Sequence, residues 1–134
     1  MTLRISDVYG VDAALAAKLK DAGLDDSAKL LAAVAQPDDR KALADRLGLD
    51  ERALLELGNR ADLARIKGIG AVYSDLLEFA GVDTVAELAG RNPGNLYAKI
   101  MEVASQHSVK RPPQADDVAD WVAQAKVLGR GIFY

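Results

Sequence analysis

The 134-residue chain contains no cysteine and a single histidine, His107. The first absence excludes disulfide staples, thiolate metal sites and cysteine nucleophiles together. The second removes multi-histidine metal centres and histidine relays, so no metal or other cofactor is expected. Aromatic residues make up only 5% of the chain, and a core must therefore be built from Leu, Val, Ile and Ala, a composition that leans towards helix. No stretch approaches the roughly 20 apolar residues of a membrane span. The opening Met1-Thr2-Leu3-Arg4-Ile5-Ser6-Asp7 lacks the apolar centre and small-residue cleavage site of a signal peptide. A cytoplasmic location without a membrane partner is the expectation. With a formal net charge of −3, nothing global draws the chain to nucleic acid or anionic lipid.

What is present is an ordinary globular composition, 50% hydrophobic and 28% charged, in a length suited to one domain. The organising feature is an internal repeat. Val8–Leu30 (VYGVDAALAAKLKDAGLDDSAKL) and Ile66–Leu88 (IKGIGAVYSDLLEFAGVDTVAEL) align without a gap at an offset of 58. Gly10 falls on Gly68 and Gly23 on Gly81. Ala13, Leu19, Ala22, Asp25, Ala28 and Leu30 fall on Ala71, Leu77, Ala80, Asp83, Ala86 and Leu88. Because the match reaches the apolar positions between the glycines, the two copies are expected to share one helix–turn–helix geometry.

Each copy has a mechanical reading. Gly68-Ile69-Gly70 supplies a tight turn where backbone freedom or close approach is needed. Val72, Tyr73, Leu76, Leu77 and Ala80 then form a stripe at helical spacing. Gly81 suits a left-handed helix end, and Asp83 or Thr84 can cap the next helix. In the first copy Asp12 can cap the helix and Gly23 ends it. Pro37-Asp38-Asp39 opens a further helix that stops at Gly48, and Asp50 caps another carrying Leu54, Leu55 and Leu57. Asn92-Pro93 starts a helix through Leu96, Ile100 and Val103. An extended link over Val109–Gln114 precedes a last amphipathic helix with Val118, Trp121, Val122, Ala125 and Leu128 on one face, stopped at Gly129. No alternating strand pattern occurs. The expected fold is all-α.

The string Leu63-Ala-Arg65-Ile66-Lys67-Gly68-Ile69-Gly70, followed by an alanine-initiated amphipathic helix, resembles the helix-hairpin-helix motif of DNA repair and recombination proteins. Two copies per chain resemble its tandem form. The run Asn59–Gly70, with Ala80–Ala89, Arg91-Asn92-Pro93 and Trp121–Leu128, is also similar to a bacterial family known only as a domain of unknown function. That second resemblance covers nearly the whole chain. The resemblances imply one domain over residues 1–134: tandem helix-hairpin-helix units with extra packing helices and a C-terminal amphipathic helix. A degenerate first unit would span 1–60 and a second 61–108, followed over 109–134 by a loop, the last helix and an apolar tail.

In DNA-binding members of the motif the hairpin amides face a phosphate, since unpaired N–H groups at a helix start attract anions. The resemblance therefore implies weak, sequence-independent binding of a DNA or RNA backbone through Arg65, Lys67, Gly68, Ile69 and Gly70. A positive surface around Arg65, Lys67, Arg91 and Lys99 would favour it. Two departures bear on this. The glycine pair is followed by Ala71, Val72, Tyr73 and then Asp75 rather than by basic residues. In the first copy Asp12 stands in the place of Gly70 and Tyr9 in that of Lys67, and a carboxylate there repels phosphate and competes for the same amides. The first hairpin reads as structural.

The acidic pairs Asp25-Asp26, Asp38-Asp39 and Asp116-Asp117 each stand at a helix start, where capping explains them better than acid–base chemistry. His107 has no partner in sequence and reads as solvated. No nucleophile, base and oxyanion site assemble, so the expectation is not an enzyme but a small binding module. The alternative to phosphate binding is a protein-interaction or assembly module, including a homo-oligomer. It would use the helical scaffold and the tail, where two glycines loosen the chain before Ile132, Phe133 and Tyr134. Three apolar residues are costly to leave in water. Deleting residues 129–134 should therefore lower the melting temperature or dissociate an oligomer; unchanged melting and unchanged mass in light scattering would mean that the tail contacts nothing.

Overall fold

Short polar side chains start the helices. In the computed structural model, which describes residues 2–8 and 10–134, the Leu15 N–H donates to the Asp12 carboxylate (2.8 Å), that of Lys29 to Asp26 (2.7 Å) and that of Arg52 to Asp50 (2.9 Å). The Glu87 and Asn95 N–H groups donate to the Thr84 hydroxyl and the Asn92 amide oxygen in the same way. These caps satisfy amides that a helix start leaves without partners. Pro37 and Pro93 occupy first helical positions, where a missing N–H costs nothing. The resulting elements are a 3₁₀ turn at Ile5–Asp7 and eight α-helices: α1 Ala13–Asp21, α2 Ser27–Val34, α3 Pro37–Leu47, α4 Glu51–Leu63, α5 Ala71–Phe79, α6 Val85–Ala89, α7 Pro93–Gln106 and α8 Ala115–Leu128. Among the described residues there is no strand; the one extended pairing is an isolated bridge between Arg4 and Asp26. The fold is all-α.

The 58-residue offset reappears in the backbone. α1 and α5 begin and end at equivalent positions. Gly10 and Gly68 have φ of 90° and 100°, and Gly23 and Gly81 have φ of 83° and 91°. The turn hydrogen bond from Val11 N–H to the Val8 carbonyl (3.1 Å) has its counterpart from Ile69 to Ile66 (3.2 Å). At the helix ends, Leu24 N–H to Leu19 (2.9 Å) matches Val82 N–H to Leu77 (2.8 Å). The repetition also reaches helices whose sequences do not reveal it. α4 packs on α2 and α3, as α8 packs on α6 and α7. A Cβ on Gly10 would stand 3.2 Å from Leu57 of α4, and one on Gly68 would stand 3.2 Å from the Trp121 indole nitrogen of α8. Each hairpin therefore rests its glycine closely against the last helix of its own unit.

The apolar side chains form two cores. The first gathers Ile5, Val8, Leu19, Leu30, Val34, Leu54 and Leu57; the second gathers Leu63, Ile66, Leu76, Leu77, Leu88, Ile100 and Trp121. They meet at α4, where Ala61 belongs to the first and Leu63 to the second. One residue crosses the division. Ile132, which follows the last helix of the second unit, is fully buried in the first core. Gly58 makes room for it. A Cβ at that position would lie 2.7 Å from Val34 Cγ2 and 2.8 Å from Ile132 Cδ1. Gly58→Ala should therefore destabilise the fold by about 1–3 kcal/mol through overpacking, although alanine is the better helix former. Urea titration would check it, and an increase in stability would show that the contact can relax.

Candidate functional site

The second hairpin is held from beneath by Ile66 and Ile69, both buried in the second core, while Lys67 and Gly68 face solvent. Its amides are only partly available. The Ile69 N–H donates to the Ile66 carbonyl. The Lys67 N–H donates to Gln124 Oε1 (2.8 Å), and Gln124 Nε2 returns a bond to the Lys67 carbonyl (3.0 Å) and another to Asp120 (2.8 Å). Gln124 of α8 thus binds both the N–H and the carbonyl of one residue and pins the hairpin to the last helix. Among the described residues the Gly68 and Gly70 N–H groups have no hydrogen-bond partner. Gly70 has an extended backbone, no side chain to cap α5, and open space where a Cβ would stand.

The cations expected around this turn are distributed differently. Arg65 points away from it: Nε donates to Asp62 (3.1 Å) and Nη2 to the Gly129 carbonyl (2.5 Å). Arg91 donates to the Gly81 carbonyl (3.0 Å), and Lys99 pairs with Glu102 on its own helix at 3.7 Å. Of Arg65, Lys67, Arg91 and Lys99, Lys67 stands at the hairpin, and among the described residues its side chain has no acidic or carbonyl partner. In the first hairpin Asp12 caps α1 with its own carboxylate, the competition for amides that its position implied. Tyr9 lies outside the described residues. His107 is exposed and stacks on Phe79, ring centres 4.0 Å apart and planes inclined by 6°.

The tail Gly129–Tyr134 runs as a strap from α8 to the first unit. Its Phe133 N–H donates to the Ala35 carbonyl (2.8 Å), and Arg40 Nη1 bridges the Val34 and Phe133 carbonyls, each at 2.9 Å. Of the three tail residues proposed for a partner, Ile132 is occupied by the chain's own first core. Phe133 and Tyr134 are exposed, at 38% and 66%.

Two residues of α4 that sequence reasoning passed over, Arg60 and Asp62, join the halves together with Arg65, which it had assigned to phosphate. Arg60 pairs with Asp75 of α5 (2.6 Å), pairs also with Glu78, and donates to Ser74 (3.1 Å). Arg65 reaches the strap. Between them Asp62, completely buried, accepts from the Val85 N–H (2.7 Å) and so caps α6 from a distant helix. Burial pushes the Asp62 carboxyl above the usual range, and the Val85 amide and Arg65 oppose that rise. On the same side of the molecule, burial and the adjacent Asp83 carboxylate raise Glu87, and burial followed by these two carboxylates raises Tyr134. The only sequence signal for Asp62 was an acid set among buried helical positions, which periodicity alone does not distinguish from a solvated one. Among the described residues no group of three or more His, Asp or Glu side chains is placed to hold a metal ion, and no helix is long and apolar enough to cross a membrane.

Residues 9–128 match the family described as Domain of unknown function (DUF4332). The chain belongs to that family. The DUF4332 match takes in both hairpins and all eight helices and leaves the strap outside it. No curated protein and no solved structure matches the chain.

A pH test isolates Asp62. Its folded-state pKa lies above the unfolded value, so between the two the folded protein holds the extra proton. Its contribution to stability is fully present below that window and is lost as pH rises through the raised value. Asp62→Asn, neutral in both states, should flatten this part of the stability–pH curve. Asp62→Ala, which leaves the buried Val85 N–H without its acceptor and removes one of the partners of Arg65, should cost about 1–3 kcal/mol near neutrality. Denaturant titration across pH checks both, and an unaltered curve for Asp62→Asn would show that another group carries the slope.

Proposed function

We propose that this DUF4332 protein is a non-catalytic, cytoplasmic protein-interaction and assembly module built as a tandem helix-hairpin-helix scaffold. The observation that carries the reading is the clustering of uncovered apolar surface at one end of the chain. Among the described residues, four of the six exposed large hydrophobic side chains lie within residues 127–134. Val127 is 87% exposed and Leu128 43%, just before the strap that carries Phe133 and Tyr134. Single exposed hydrophobic residues are common on protein surfaces; a concentration in one short stretch marks an interface.

Weak binding of a nucleic-acid backbone at the second hairpin is the competing reading. The free Gly68 and Gly70 amides and the exposed Lys67 favour it. Against it stand the capture of the Lys67 amide by Gln124, the diversion of Arg65 to Asp62, and the net negative charge.

The two readings separate in paired experiments. Sedimentation over a range of concentrations should show self-association that Val127→Glu abolishes without altering the helical circular dichroism. Titration with single- and double-stranded DNA in low salt should show no binding at about 100 μM protein, the weak end of the usual non-specific range. Were the hairpin a phosphate site, DNA would bind with a steep salt dependence, Lys67→Glu would abolish binding, and Gln124→Ala, which frees the Lys67 amide, would strengthen it. A monomer at every concentration, with no effect of Val127→Glu, counts against assembly.

A further inference from the structure

The strap and its seat have the form of a ligand and a receptor joined by a short link. The seat for Ile132 and Phe133 belongs to the first unit: the space over Gly58, the Val34 and Ala35 carbonyls and the Arg40 guanidinium; Arg65 holds the Gly129 carbonyl at its entrance. The ligand is a segment in which one aliphatic side chain, Ile132, is fully buried and the neighbouring peptide groups are read by Ala35 and Arg40. Arg40 is itself buried, its Nε has no partner among the described residues, and its Nη1 joins the Val34 carbonyl of α2 to the Phe133 carbonyl of the strap. The link is glycine-rich. Gly129 has φ of 73° and open space around its Cα, which permits a change of direction there.

We propose that this segment is exchanged between molecules, the strap of each copy seating over Gly58 of the other in a reciprocal dimer. This deepens the assembly reading above and rests on it. Every bond in the seat is satisfied equally by the strap of a second copy, because the chemistry of the two segments is identical and the contacts begin only beyond α8. An exchange of this kind is isologous, with each copy giving and receiving the same element, and therefore closes as a dimer. Val127 and Leu128, exposed in the single chain, immediately precede the link at which the two chains would cross. Crossing gives them an apolar neighbour that the single chain does not supply.

The absence of cysteine allows a direct test with full-length chains. The Phe133 N–H and the Ala35 carbonyl lie 2.8 Å apart, so cysteines at these positions report occupancy of the seat. Ala35→Cys and Phe133→Cys chains are mixed, incubated at high concentration and oxidised. Exchange predicts a disulfide-linked heterodimer in several-fold excess over a control mixture of Phe133→Cys with Ala14→Cys, an exposed position on α1. Yields equal to the control overturn the proposal. A second measurement needs no substitution: in a mixture of carbon-13-labelled and unlabelled wild-type chains, isotope-filtered spectra should show contacts between Ile132 of one copy and Val34 of the other. Their absence from a dimer seen by sedimentation overturns exchange and leaves assembly standing; absence of any dimer removes both.

Discussion

The two halves of this protein are held in register by one buried carboxylate. Asp62 lies on the last turn of α4, accepts the amide at the start of α6 and holds Arg65, whose guanidinium reaches the Gly129 carbonyl. A charge in that position is costly unless every lone pair has a donor, because the interior solvates it poorly. The cost makes the geometry specific. If α4 or α6 shifts, a donor is withdrawn and the carboxylate loses part of its compensation. Arg60 adds a second tie, to α5, at a more exposed edge. The apolar cores make each unit stable, while these α4 residues set one unit against the other.

The same arrangement shapes the hairpin. A turn built to receive phosphate needs amides and cations converging on one open point. Here Gln124 and Ile66 take two of the amides and Asp62 takes the arginine. The hairpin has been drawn into the protein's own packing, and Gly68 serves a close contact with Trp121 as much as it serves a turn. Open amides at Gly68 and Gly70 remain of what could meet an anion.

Local features were the legible ones. Caps at Asp12, Asp26, Asp50 and Asn92, the prolines at 37 and 93, and the glycine pairs at a fixed offset all act over a few residues, and the structure places helix boundaries beside them. The equivalence of α4 and α8 was hidden, because packing on two helices demands an apolar face and not a particular sequence. Asp62 was hidden for a related reason. Its role depends on Val85, 23 residues away, and no pattern within α4 marks that partner. The tail showed its apolar character, but a string of three hydrophobic residues does not say which one is the plug; Gly58 on a remote helix decides that.

The path of the strap bears on the order of folding. Arg40 and Phe133 are 93 positions apart, yet Ile132 completes a core whose other members all lie between Ile5 and Ala61. Chain closure over such a separation is entropically slow and becomes easier once the intervening segment is compact. The second unit, with all its core residues between Leu63 and Ala125, can close on local contacts alone. During synthesis the slot over Gly58 therefore stays unfilled until Ile132 itself has been made. The half made first is the half finished last.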